Sequence, residues 1–157
     1  MTASPLASIL GRVPSGIFIL TLKHGEQETG MLASWVMQAG FDPPMVSVAV
    51  RQDRYVAQWL AAGSPFVLNV VPQGAKPLLS HFGRGFDPGQ PAFEGLRVER
   101  TSRGTPILLG TVGHLECEPA GHVDSGDHRV FLASIVGGRL DSEDEPMVHI
   151  RNNGMRY

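Results

Sequence analysis

Between Gly30 and Val50 the chain reads GMLASWVMQAGFDPPMVSVAV. Two apolar, strand-like segments are joined there through a Phe41-Asp42-Pro43-Pro44 corner. The first half mixes small residues with isolated hydroxyl and amide groups, so a flat ligand with polar edges can lie close to the backbone. The second half runs into Ala49–Arg54, AVRQDR, which sets two guanidinium groups, Arg51 and Arg54, at a strand end. Guanidinium matches phosphate in a fork geometry; the same arginines also read as solvated surface charges. Asp53 would repel an anion unless its carboxylate is turned away as a helix cap. Further on, Gly126-Asp127-His128 supplies an imidazole, a side chain suited to hydrogen bonding and proton handling near neutral pH. Its plain alternative is a hairpin pair in which Asp127 bonds turn amides.

Other chemistries are poorly supported. Six His and one Cys occur, but no Cys-x-x-Cys or His-Glu-x-x-His spacing links them, so no metal site is expected. Cys117 lies between Glu116 and Glu118, which disfavours a thiolate. A Gly-rich dinucleotide fingerprint is lacking. The net charge of −2 comes without a basic block, which argues against nucleic acid as a partner. No apolar run approaches the ~20 residues that cross a bilayer, and the first residues do not read as a secretory signal. With one cysteine unable to form an internal disulfide, a reducing, cytoplasmic location is expected.

The elements that must position these groups are mostly strands. The 157 residues, with 19 Gly and 12 Pro, suit a single domain, residues 1–157, with many tight turns. Ser4 and Pro5 predict a short helix ending near Gly11. Strands are expected over Ile17–Leu22 and Thr29–Met37, joined by a polar turn at His24–Gln27. Met45–Val50 alternates Met45, Ser47 and Ala49 against Val46, Val48 and Val50. Asp53 is the expected N-cap of a helix over Arg54–Ala62. Phe66–Val71 is a strand, Lys76–Phe82 a short helix, and Gly83–Gly95 a loop. Short strands follow at Leu96–Arg100 and Pro106–Leu109. Thr111–Pro119 should be half-exposed, with His114, Glu116 and Glu118 on one face and Cys117 on the other. His122–Asp124 and His128–Val136 flank a second hairpin, and Gly137-Gly138 should end the last long strand. The tail, Met147–Tyr157, is expected to pack on the body or on a partner. Many short antiparallel strands with few helices indicate a closed barrel, which removes exposed sheet edges.

The 30–50 stretch, followed by HFGRGF, LECE and GDHRVFLASIV, resembles the flavin reductase-like, FMN-binding split-barrel family. The resemblance runs from about Gly11 to Val136. It is closest to the C-terminal flavin-reductase module of flavodiiron proteins from oxygenic phototrophs, where LASW, Phe66–Val70 and LECE have close counterparts. It implies a mainly β fold: a six-stranded antiparallel split β-barrel of Greek-key type with short flanking helices, assembled as a homodimer. It implies FMN as cofactor, with FAD less favoured, and NADH or NADPH as a transient substrate. Electrons would pass to an acceptor such as an oxygenase or a flavodiiron-type partner. A non-catalytic flavin carrier, or a flavin-carrying partner subunit, is the alternative. By the same resemblance the ring edge lies along Met31, Leu32, Ala33, Ser34 and Trp35. Gln38 points to the ribityl–phosphate end, and Phe82 and Gly83 close over the ring. From the residue chemistry, the Ala49–Arg54 stretch, with Ala49, Val50, and Arg51 or Arg54, is expected at the phosphate. His128 is the catalytic candidate, placed beside flavin and nicotinamide. Trp35 and Gln38 depart from the family's small polar residues, so the indole is expected to stack on the flavin, block one face or pack across a dimer.

Overall fold

The computed structural model describes residues 2–157. In chain order the elements are α1 (Pro5–Gly11), β1 (Ser15–Gly16), β2 (Phe18–His24), β3 (Gln27–Ala33), β4 (Val36–Phe41), β5 (Pro44–Arg51), α2 (Tyr55–Ala61), β6 (Phe66–Val70), α3 (Lys76–Gly83), β7 (Val98–Arg100), β8 (Pro106–Leu108), β9 (Gly113–Ser125), β10 (His128–Leu140) and β11 (Val148–His149). Ser4 caps α1, its side chain accepting from the Ala7 amide, with Pro5 in the first turn, as its residue types dictate.

The fold is mainly β, built on one antiparallel sheet in the order β3-β2-β6-β9-β10-β5-β4. It has seven strands rather than the six expected, because the predicted Thr29–Met37 strand is interrupted at Ser34-Trp35. β3 pairs with β2 as far as Ala33, and β4 starts pairing with β5 at Val36. Ser34 and Trp35 therefore connect the two outer strands of the sheet, and the Trp35 carbonyl accepts from the Ala49 amide of β5 at 3.0 Å. Ser34 and Trp35 thus form a seam between β3 and β4.

Alternation decides which side chains face inward. In β5, Val46, Val48 and Val50 are buried while Met45, Ser47 and Ala49 are partly exposed. The buried set packs with Leu20, Leu22, Phe66, Leu68, Phe131 and Trp59 in the barrel interior. A second cluster, with Ile17, Ile19, Val71, Phe82 and Leu108, lies beneath α3 and the following loop. Asn69, fully buried, ties these layers together. Its amide donates to the Ile19 carbonyl at 2.9 Å and to Thr21 Oγ1 at 3.1 Å, and its oxygen accepts from the Leu108 amide at 2.9 Å. Such a group is tolerated in a core because it is satisfied.

Several expectations are corrected. Arg54, not Asp53, is the N-cap residue of α2, and it makes no side-chain cap bond. The Asp53 carboxylate instead accepts from Arg51 Nε at 3.2 Å and Nη2 at 3.3 Å: a guanidinium two residues away outcompetes backbone amides. Nor does Gly137-Gly138 end β10, which continues to Leu140 with a register shift between Ile135 and Gly137. The two glycines serve close approach there. A Cβ on Gly138 would lie 2.8 Å from the His114 carbonyl oxygen, and one on Gly137 2.9 Å from Glu116 Oε2. His114 is buried rather than exposed. Its Nε2 is 3.7 Å from Glu116, and its Nδ1 has no hydrogen-bond partner among the described residues.

The tail packs on the body. β11 pairs with β1, the Arg151 amide donates to the Gly11 carbonyl, and the Gly154 amide donates to the Ala7 carbonyl. Two glycines permit this contact. A Cβ on Gly11 would run into the Arg151 carbonyl, and a Cβ on Gly154 would run into Leu10.

Candidate cofactor site

The seam opens into a cavity of about 480 Å³, within the range of small-molecule and cofactor pockets. Its walls come mainly from six parts of the chain. Met31, Leu32 and Ala33 end β3, Ser34 and Trp35 form the seam, and Ala49, Val50 and Arg51 end β5. Arg54 stands at the N-cap of α2, Leu79 and Gly83 belong to α3, and Met147, His149 and Tyr157 come from the tail. The lining is mostly apolar, with cations at one end, which suits a planar ring carrying an anionic substituent.

The two arginines differ. Arg51 is held by Asp53, and that hydrogen bond and charge raise its pKa above the ordinary value. Arg54 makes no ion pair among the described residues, although it lines the cavity. Its Nη2 lies against Gly85, where a Cβ would come within 3.3 Å and the backbone has φ +76°, a conformation glycine adopts readily. The loop after α3 is fixed from below by Tyr55, whose hydroxyl lies 2.6 Å from the Phe86 carbonyl and 2.9 Å from Thr29 Oγ1.

Met31, Leu32, Ala33, Ser34, Trp35, Ala49, Val50, Arg51, Arg54 and Gly83 thus share one cavity. Gln38 and Phe82 stand apart from it. Gln38 is exposed on β4 and donates to the Gly40 carbonyl at 3.4 Å. Phe82 is 1% exposed, and its ring rests on Gly30, where a Cβ would fall 2.7 Å from Phe82 Cε1. The plain reading of Phe82, a core ring at a helix end, is the observed one.

His128 is buried and lines a smaller neighbouring cavity of about 290 Å³ with Asp127, Arg151 and Arg156, rather than the large one. Both of its ring nitrogens are engaged. Nδ1 is 2.7 Å from the Asp127 carboxylate and Nε2 is 2.5 Å from the Tyr157 hydroxyl. The bond from His128 holds the Asp127 carboxyl below its usual range. Trp35 joins the same assembly. Its ring centroid is 4.6 Å from that of His128 and 5.5 Å from that of Tyr157, and the Arg151 guanidinium carbon lies 5.4 Å over the indole, a cation–π distance. The indole is thus held as a wall between the two cavities. Met147, His149 and Tyr157 line the large cavity but were not among the residues picked from the sequence. The signal was present as aromatic and imidazole residues in a tail otherwise poor in apolar surface.

Residues 10–156 match the family described as flavin reductase like domain. The chain belongs to the flavin reductase-like domain family. It is 38% identical over 156 residues to diflavin flavoprotein A 1 of Synechocystis sp. and 40% identical over 154 residues to putative diflavin flavoprotein A 3 of Nostoc sp.. These alignments cover 98% and 97% of this chain and 27% of each relative, so the chain spans about a quarter of the length of the curated relatives it matches. Among solved structures it is similar to the NADH:FAD oxidoreductase SgcE6 of Streptomyces globisporus C-1027, with a TM-score of 0.85 and 27% identity over 92% of this chain and 86% of that one. The same oxidoreductase in complex with NAD and FAD fragments aligns with a TM-score of 0.84 and 25% identity over 99% of this chain and 94% of that one. No helix among the described residues is long and apolar enough to cross a membrane.

Proposed function

We propose that this flavin reductase-like domain binds FMN in the seam cavity and acts as an NAD(P)H:flavin oxidoreductase. The observation that carries this reading is the meeting, in one cavity, of the Ser34-Trp35 link between β3 and β4 with the guanidinium of Arg54, which makes no ion pair among the described residues. The residues fit the group. Small side chains at Ala33, Ser34 and Ala49 let a ring approach the main chain, and Arg54, with Arg51 beside it, offers charge-assisted donors to a phosphate. A bound flavin supplies the redox chemistry, accepting a hydride from reduced nicotinamide and passing electrons to an acceptor. The chain itself needs to orient the rings and exclude water; Met31, Leu79 and Met147 give the cavity its apolar surface.

Homodimerisation is part of the proposal. Leu132, Ser47 and Met37 are register partners across β10, β5 and β4, so their side chains share one sheet face. Leu132 and Met37 are exposed there, as is Phe41 at the end of β4. An apolar face on an outer strand is the kind of surface that a second copy covers. An oxygenase or flavodiiron-type electron acceptor belongs to the same proposal, as the family resemblance implies.

The test is direct. Protein mixed anaerobically with FMN and then NADH or NADPH should bleach the visible flavin band. Tight FMN binding without bleaching by either nicotinamide would assign the domain to flavin carriage instead.

A further inference from the structure

We infer that Tyr157 is a ligand-contacting residue of the seam cavity, and that His128 acts on a bound ligand through the Tyr157 hydroxyl. This rests on the reading of that cavity as the flavin site. His128 does not line the large cavity; Tyr157 does. The two are joined by the 2.5 Å contact between Nε2 and the hydroxyl, and the far side of the imidazole is taken by Asp127 at 2.7 Å. No ring nitrogen of His128 is left over for a ligand.

The chemistry of the three groups sets the direction of these bonds. The Asp127 carboxylate only accepts, so Nδ1 carries the proton that it donates to Asp127. In the neutral ring Nε2 is then an acceptor, and the Tyr157 O–H donates to it. Burial raises the pKa of the Tyr157 hydroxyl, against the opposing effect of Arg51, Arg54 and Arg151, which keeps the proton available for this bond. The phenol oxygen is left with free lone pairs beside those arginines. It can accept from a ribityl hydroxyl or from the carboxamide of a nicotinamide, but it repels a bare phosphate oxygen. Tyr157 thus places the sugar or amide part of a ligand, not its phosphate, next to Trp35.

The placement is built in rather than incidental. The tail reaches this position through the two close glycine contacts with α1 at Gly11 and Gly154. Arg151 then bridges back, donating to the Arg156 carbonyl at 3.1 Å while its guanidinium covers Trp35.

The test uses Tyr157→Phe, which keeps the ring and removes only the hydroxyl. In the wild-type protein without flavin, imidazole 15N spectra should show His128 as the Nδ1–H tautomer, and Y157F should shift the Nε2 resonance. Y157F should also weaken binding of FMN and of riboflavin, which lacks the phosphate, by the same factor of about five, or raise the KM for NADH about fivefold with kcat within twofold. Loss confined to FMN would overturn the assignment, because it would make Tyr157 a phosphate group. An unchanged Nε2 resonance, or unchanged Kd and KM, would also overturn it. Should the wild type bind neither flavin, the flavin reading fails. The contact is then judged by the Nε2 resonance and by nicotinamide mononucleotide, whose His128 shift must vanish in Y157F for the assignment to stand.

Discussion

Gly154 lies so close to Leu10 that a methyl group on its Cα would occupy the space of the leucine Cβ. Gly11, one residue on, meets the Arg151 carbonyl in the same way. The tail and α1 are thereby locked at two adjacent points, and the lock sets where Tyr157 and Arg151 meet Trp35.

Gly154→Ala should release that lock. Overpacking of this kind costs about 1–3 kcal/mol, read as a lower midpoint in urea. Tryptophan fluorescence should change as well, because Trp35 loses its contacts with Tyr157 and Arg151. Wild-type stability and fluorescence in this variant would show that the tail is not held through Gly154.

Arg54→Ala should weaken FMN by about tenfold while leaving riboflavin within twofold, a difference assigned to the phosphate. Arg51→Ala should have the smaller effect on FMN, since Asp53 already occupies its guanidinium. Parallel fluorescence titrations of both flavins with both variants decide the order, and the reverse order would transfer the phosphate to Arg51.

Ser34→Ala should cost flavin binding about 1 kcal/mol if its hydroxyl makes one hydrogen bond to the ring edge. Isothermal titration with FMN measures it. An unaltered affinity would leave the contact at Ser34 to the backbone alone.

Phe82→Ala is a core deletion, not a site mutation. It should destabilise the domain by about 3–5 kcal/mol with little change in flavin affinity per folded molecule. Denaturant unfolding followed by flavin titration separates the two effects.

Cys117 gives an alkaline prediction. Burial, with help from Glu116, pushes its thiol up from 9.0 to about 12. The folded state therefore keeps a proton that the unfolded state releases above pH ~9. Stability from this group is fully present below that pH and falls as pH rises towards 12. Cys117→Ala should show a shallower loss of stability between pH 9 and 11 in urea titrations.

How the sequence encodes this molecule can be judged residue by residue. Val46, Val48 and Val50 announced their strand because a two-residue period has one physical meaning in a half-buried sheet. Ser4 and Pro5 announced α1 because local hydrogen bonding decides a helix start. Asp53 misled because its capping role depended on whether Arg51 would take its carboxylate, a tertiary competition. Gly137-Gly138 misled for a similar reason: glycine marks both chain reversal and close strand approach, and only the partner, His114 or Glu116, distinguishes them. That Met31–Trp35 and the two arginines line one cavity was legible in part, since small residues beside two guanidiniums narrow the possible chemistry. Tyr157 was not, because it reaches the site over a path fixed by Gly11, far away in sequence.

The interrupted wall at Ser34-Trp35 also bears on how the domain would answer to heat. A sheet laddered all the way round owes its closure to the backbone, whereas here β3 and β4 do not pair and are joined through the Ser34-Trp35 link. A molecule lodged in the cavity touches β3, the link and β5, so its binding to the folded state alone adds to folding free energy. At a hundred times its Kd it would add about 2.7 kcal/mol. The melting temperature of this protein is therefore a ligand meter, able to rank flavins, nicotinamides and their fragments by affinity before any turnover is observed.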